Sequence, residues 1–305
     1  MNDQPEQFGN AGAAGRLDLT LPDGYKTYCV FIDAAEGIQR QTPVLYMHGI
    51  QSHPGWFAGS AGALAAAGFP VYKIVRRGSG ENKLERGHAS SARQLLDDVD
   101  SAVDFILSQE VASKLNEVKK QEQDSANKIN LLGVSWGGKL LTCYCLDSAR
   151  AAKVENLVLV APGIVPQVDV PVKLKMAIAA NLIFGGRKLF PIPLNDVELF
   201  TENPVWRQFL TDDPLRLHDA TAKFLFVSRM LDLMLKRSSA GALKVPTTLL
   251  LASRDRIINN DATSELLSKL AGENLRVNNL DAAHTMEFEQ TPQPFYDLLI
   301  ASLKK

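Results

Sequence analysis

The residues best placed to do chemistry surround one serine. Gly133-Val134-Ser135-Trp136-Gly137 stands directly after an apolar run and directly before a helical pattern, with Gly138 beyond it. A serine at a tight strand-to-helix turn takes a strained backbone, and flanking glycines let strand and helix approach closely. Its hydroxyl then projects at a helix N-terminus, where N–H groups favour developing negative charge. A hydroxyl becomes a nucleophile only when a base takes its proton. Of His48, His53, His88, His218 and His284, only His284 lies just beyond the last apolar run. That position belongs over the carboxyl edge of an open sheet, where such folds place their sites. No two of these histidines have metal-ligand spacing.

A base of this kind needs a carboxylate to orient it. Asp255 follows the run Thr247-Thr248-Leu249-Leu250-Leu251 and precedes His284 by 29 residues. Asp281 is its rival, but it shares a loop with His284. Asp255 is preferred, because a carboxylate on a separate strand end can lock the imidazole from behind. An oxyanion hole requires two backbone donors. One is expected from Trp136, after the serine, and the other from Ile50, in the loop that follows the run 43–47. His48 in that loop reads as structural. The pair Arg76 and Arg77 is too small a basic cluster to hold a polyanion.

These side chains require a scaffold of alternating strands and helices. Strands are predicted at 43–47, 70–75, 128–133, 154–160, 247–252 and 275–280, each short and apolar enough for a covered parallel sheet. Helices are predicted at 91–108, 139–152, 261–270 (with Asp261 as N-cap) and 292–303. The pattern is α/β, a mostly parallel doubly wound sheet. An antiparallel edge hairpin is expected over 16–32, around Pro22-Asp23-Gly24, and a solvated helix extension over 110–128. Residues 1–16 read as a flexible tail, 17–161 and 245–305 as the core. Residues 162–244 break the alternation and are too long for a loop, so they read as an inserted helical cap. Within it, segment 172–184 carries two apolar stripes. Met176, Ile178 and Leu182 are expected to bind substrate there by lining a passage for an acyl chain.

Composition narrows the class. With 33 basic and 34 acidic residues the net charge is −1, so no field favours nucleic acid or an anionic surface. Cys29, Cys143 and Cys145 have neither disulfide nor zinc spacing and read as buried thiols. The polar start, without a basic region before an apolar one, does not read as a signal peptide, and no integral membrane segment is expected. A cytoplasmic setting is expected.

On the His48-Gly49 loop, the serine elbow, Asp255 and the loop His284-Thr285-Met286-Glu287-Phe288-Glu289, the chain resembles the α/β-hydrolase superfamily. Asp213-Pro214-Leu215 adds a likeness to its monoacylglycerol lipases, lysophospholipases and serine-aminopeptidase-like members. The resemblance spans about residues 16–303. It implies ester hydrolysis through an acyl-enzyme, without metal or cofactor, on a small-molecule, lipid-like ester. It also implies Ile50 and Trp136 as oxyanion donors. Trp136 stands where these relatives commonly have a slimmer residue, which would narrow the acyl pocket. An aminopeptidase-like or polyester-depolymerase-like hydrolase, and a binding protein of this fold without catalysis, are the alternatives.

Overall fold

The computed structural model describes residues 14–116, 128–168 and 170–304. Eight strands form one sheet: β1 (Ala14–Thr20), β2 (Lys26–Ile32), β3 (Val44–Met47), β4 (Val71–Ile74), β5 (Ile129–Val134), β6 (Val154–Val160), β9 (Thr247–Ala252) and β10 (Leu275–Leu280). A separate two-stranded ribbon pairs β7 (Leu189–Pro191) with β8 (Asp219–Thr221). The helices are α1 (Ala58–Ala66), α2 (Ala92–Asn116), α3 (Trp136–Tyr144), α4 (Ser148–Ala151), α5 (Val172–Ile183), α6 (Pro204–Asp212), α7 (Ala222–Arg237), α8 (Asn260–Ala271) and α9 (Gln293–Leu303).

The order across the sheet is β1-β2-β4-β3-β5-β6-β9-β10. From β4 to β10 all neighbours are parallel, whereas β1–β2 and β2–β4 are antiparallel. β3, β4, β5 and β9 are buried at every position, which is why their sequences are mostly apolar and show no polar alternation; Lys73, Asn130, Thr247 and Thr248 are buried with them. The chain leaves β3 for β4 on one side and returns to β5 on the other. That reversal opens a crevice at the carboxyl ends of β3 and β5, the usual ligand position in an open α/β sheet.

Several expectations need correction. Residues 14–16 are not part of a tail; they start β1, with Ala14 opposite Ile32, while 1–13 lie outside the described residues. Of the hairpin's two strands only β1 is an edge, because β2 also pairs with β4. The helix expected at 139–152 divides into α3 and α4, since Asp147 starts a new turn by accepting from the Ala149 and Arg150 amides. α8 is capped by Asn259, not Asp261, through its side chain and the Ala262 amide. Glu110 is not solvated: it is buried and accepts from Arg40 and the Tyr72 hydroxyl. The rest of that charged stretch, 117–127, lies outside the described residues. α1 has no apolar stripe in its Ala- and Gly-rich sequence, because it is buried on most sides and packs against α9.

Backbone meets backbone closely where β3, β5 and α3 join. A Cβ on Gly137 would lie 2.5 Å from the Met47 carbonyl oxygen and 2.6 Å from that of His48. A Cβ on Gly133 would lie 2.7 Å from Gly138 Cα. Backbone, not a flexible side chain, fills each space. Gly137→Ala is therefore expected to lower unfolding free energy by about 1–3 kcal/mol. Gly15→Ala, where a Cβ meets nothing within 4 Å, should change it little. Urea unfolding of both variants checks this, and equal stabilities would refute the packing argument.

Candidate active site

Ser135 occupies the junction of β5 and α3. Its φ of 51° and ψ of −123° lie in the left-handed half of backbone space, at a cost on the order of 1–3 kcal/mol. Hydrogen bonds offset that cost. The Ser135 amide donates to Val160 O at 2.9 Å, while its carbonyl accepts from the amides of Gly138 at 2.9 Å and Gly163 at 2.8 Å. The residue is half-buried and lines a cavity of about 860 Å³.

His284 follows β10, and Asp255 follows β9. The two strands are parallel neighbours, so their carboxyl ends bring the loops together. His284 Nδ1 donates to Asp255 Oδ2 at 2.8 Å. Asp255 Oδ1 accepts from the amides of Ile257 at 2.7 Å and Ile258 at 3.0 Å, so the turn after β9 fixes the carboxylate. Both side chains are buried. Asp281 instead turns outward, with a side chain 83% exposed and paired with Arg254. The second imidazole nitrogen, Nε2, is buried and has no hydrogen-bond partner among the described residues. It shares a small cleft with Ser135, Gly49 and Ile50, and no hydrogen bond joins it to the Ser135 hydroxyl. Such contacts are often open before substrate binds. A hydroxyl and an imidazole facing one cleft, with the far nitrogen held by a carboxylate, can transfer a proton during nucleophilic attack.

Opposite the serine runs the loop after β3. A Cβ on Gly49 would lie 3.3 Å from Ser135 Cβ, so the two backbones abut. His48 is buried; its Nδ1–H donates to Gly49 O at 2.9 Å, and its Nε2 accepts from the Arg76 amide at 3.3 Å. Burial, and then the charge of Arg76, push its pKa well below the ordinary value, so it stays neutral. The Arg76 guanidinium donates to the carbonyls of Gly49 and Ile50. Gln51 is tied to the segment between β6 and β9: Arg216 Nη2 donates to its Oε1 at 2.9 Å and to Leu194 O at 2.7 Å. Asp213 makes a second tie, accepting from Trp56 Nε1 at 2.7 Å and His53 Nε2 at 3.1 Å. Burial opposes its ionisation, but these hydrogen bonds prevail and hold Asp213 below the usual carboxylate range.

The expected site residues are distributed as follows. Ile50 and Trp136 both line the cavity beside Ser135. Among the described residues neither of their amides is engaged by another backbone group. The Trp136 indole is buried, stacks on Phe224 at 5.2 Å and donates to Ser228 Oγ at 2.9 Å. Ile178 and Leu182 line the same cavity. Met176 does not: it is 61% exposed on the outer face of α5. Two residues along a helix turn by about 200°, so Met176 and Ile178 cannot share a face. Leu174, Ile178 and Leu182 are the half-buried stripe, while Val172, Met176 and Ile183 face solvent. Sequence reasoning missed Arg76, Gln51, Arg216 and Ser228. Only Arg76 left a signal, as an arginine directly after the predicted strand 70–75.

Comparison with known proteins places this geometry. The model of the hydrolase family described as serine aminopeptidase, S33, matches residues 39–291. No curated protein matches the chain. Among solved structures, a monoacylglycerol lipase from Paleococcus ferrophilus superposes with a TM-score of 0.73 at 20% identity, covering 92% of this chain and 98% of its own. A soluble variant of monoglyceride lipase from Saccharomyces cerevisiae, bound to a substrate analog, gives 0.79 at 13% identity and covers 100% of both chains. An esterase from Exiguobacterium antarcticum gives 0.66 at 17%, covering 95% and 99%. At these identities the superpositions establish the α/β-hydrolase fold, and the family match covers most of the sequence. The chain therefore belongs to the serine aminopeptidase (S33) family of α/β hydrolases.

Proposed function

We propose that this hydrolase cleaves carboxylic esters of lipid-like small molecules through an acyl-enzyme, with Ser135 as nucleophile, His284 as base and Asp255 as its orienting acid. One observation carries the reading. A serine held at positive φ faces the same cleft as an imidazole whose Nδ1–H is bound by Asp255, at the edge of a largely apolar cavity. In the proposed sequence the Ser135 oxygen attacks the ester carbon as its proton passes to His284 Nε2. The carbonyl electron pair moves to oxygen, where the amides of Ile50 and Trp136 receive it. The alcohol leaves with the proton from His284. Water then attacks the acyl carbon by the same steps, restoring the serine.

The ester reading is preferred within the family for a reason in the cavity wall. Among the described residues lining it, Asp232 is the one carboxylate, and it is paired with Lys139 at 2.6 Å. A pocket for a peptide's terminal ammonium needs an uncommitted negative charge. The apolar side chains of Ile164, Ile178, Leu182 and Leu225 suit an acyl chain instead. We read residues 162–244 as the cap that supplies much of this wall. The three cysteines are free and buried, with burial pushing the Cys29 and Cys143 thiols up to about 12, in keeping with a cytoplasmic setting. Among the described residues no helix is long and apolar enough to cross a membrane.

Ser135→Ala should abolish turnover and labelling by a fluorophosphonate probe without moving the thermal melting point. Retention of more than about a tenth of the activity would rule out the covalent route. Asp255→Asn should cost about 10³–10⁴ in kcat, because an amide favours the wrong imidazole tautomer. Asp281→Asn should cost little; a reversed order would move the acid role to Asp281.

The cavity wall gives a further expectation. Specificity constants for p-nitrophenyl esters should climb over several carbons, each buried methylene contributing up to about 0.8 kcal/mol. Ile178→Asp should then depress long-chain turnover far more than short-chain turnover. Met176→Asp, on the outer face, should leave both as they were. Equal effects of Ile178→Asp on both chain lengths would return that residue to a packing role.

A further inference from the structure

The carboxyl end of β4 carries two adjacent arginines that the fold treats differently. Arg77 is neutralised: it pairs with Asp98 at 2.8 Å and Asp23 at 2.9 Å and lies over Tyr25. Arg76 is 4% exposed, and among the described residues no carboxylate pairs with it. A cation buried without a counter-charge is costly unless carbonyl dipoles and an aromatic face replace water. Here those groups belong to the two segments flanking Ser135. Arg76 Nη2 donates to Gly49 O at 2.6 Å and to Ile50 O at 3.1 Å, and its guanidinium carbon lies 4.7 Å from the centre of the Trp136 ring.

The direction of these bonds has a consequence. All described peptides are trans, so the Gly49 C=O and the Ile50 N–H, which share one peptide group, point in opposite directions. Arg76 and the His48 Nδ1–H together hold the Gly49 oxygen toward the interior between β3 and β4. The Ile50 N–H is thereby turned the other way, where the loop abuts Ser135 and Ile50 lines the small cleft with His284. A charged donor on the carbonyl also polarises the N–H of the same peptide, strengthening it as a donor.

We propose that Arg76 is a positioning residue of the oxyanion hole: it fixes the Gly49–Ile50 peptide with its N–H toward the ester oxygen and steadies Trp136, the second donor, through its indole. This rests on the serine-hydrolase reading above. Arg76 touches neither substrate nor proton. Its effect falls on the tetrahedral stage, when the oxygen carries the charge, rather than on ester binding.

The test uses the full chain carrying Arg76→Met, which keeps bulk without charge, and Arg76→Lys, which can reach a carbonyl but cannot cover the indole. Four quantities are measured: kcat and KM on p-nitrophenyl butyrate, inhibition by an alkyl trifluoromethyl ketone that forms a tetrahedral serine adduct, and inhibition by the unreactive amide analogue of the ester. Arg76→Met should lower kcat by about 10–100-fold and weaken the ketone by the same factor, leaving KM and the amide within about twofold. Arg76→Lys should recover part of both losses. A kcat loss below tenfold in folded Arg76→Met, or a loss shared by the amide, overturns the proposal. Unfolded protein from both substitutions would assign Arg76 to fold support and overturn it too. If wild type neither hydrolyses the ester nor takes a fluorophosphonate label, the underlying hydrolase reading has failed instead.

Discussion

The backbone contact between α3 and the strands beside it governs how the rest of the site can be arranged. Gly137 lies against the Met47 and His48 carbonyls, and Gly133 against Gly138, with no room for a Cβ at either contact. Helix and strand can approach so closely only if the chain reverses direction within a single residue. Ser135 makes that reversal at a φ of 51°. The same approach sets the loop after β3 beside the serine, because Gly137 packs on the very residues that lead into it. Local strain, the accessible hydroxyl and the neighbouring loop are thus one packing event seen at three atoms.

Around this contact the fold gathers charge at unusual cost. Arg76 and Arg216 are both buried and both spend their donors on carbonyl or amide oxygens of the loop and its neighbours. Burial lowers the pKa of Arg216 despite the nearby charge of Asp213. Glu287, three residues beyond His284, is also fully enclosed; burial raises its pKa, opposed by the Ser60 amide and by Lys73. It joins the histidine loop to the start of α1. Such groups stabilise little on balance, but they allow few alternative arrangements of the segments they join.

The segment between β6 and β9 is integral to the site rather than laid over it. Arg216 reaches from it to Gln51, Asp213 to Trp56 and His53, and Ser228 to the Trp136 indole. α7 packs on α3, where Phe224 stacks on Trp136 and Leu231 O accepts from Cys143 Sγ, and its Phe224, Val227, Leu231 and Leu235 are all buried. α5 is different: it has no buried residue and contributes only a half-buried stripe to the cavity. Buried α7 and largely exposed α5 therefore form two unlike walls of one space.

Much of the scaffold was legible from residue order. The runs 154–160 and 247–252 coincide with β6 and β9, because a strand covered on both faces needs a largely apolar run, whereas 275–280 coincides with β10, an edge strand with no buried residue. The elbow was legible for the same local reason: glycine spacing around Ser135 reports a close approach before any partner is known. Elements whose determinants lie elsewhere in the chain were not legible. α1 has no stripe because its surroundings bury it nearly all round, and Glu110 turned inward because Arg40 and Tyr72 wait for it. Which side of α5 meets the cavity was likewise open, since its two apolar stripes are equivalent until α7 is in place. Residue order already favoured Asp255 over Asp281 as the partner of His284, but their meeting depends on β9 and β10 lying side by side, and the bonds from Arg76 to the Gly49 loop, which it did not suggest, depend on β3 lying beside β4. Residue order determined which groups could react. Only the sheet's lateral order decided which of them meet, because strand adjacency is set by packing across the whole molecule and leaves no mark at the residues it brings together.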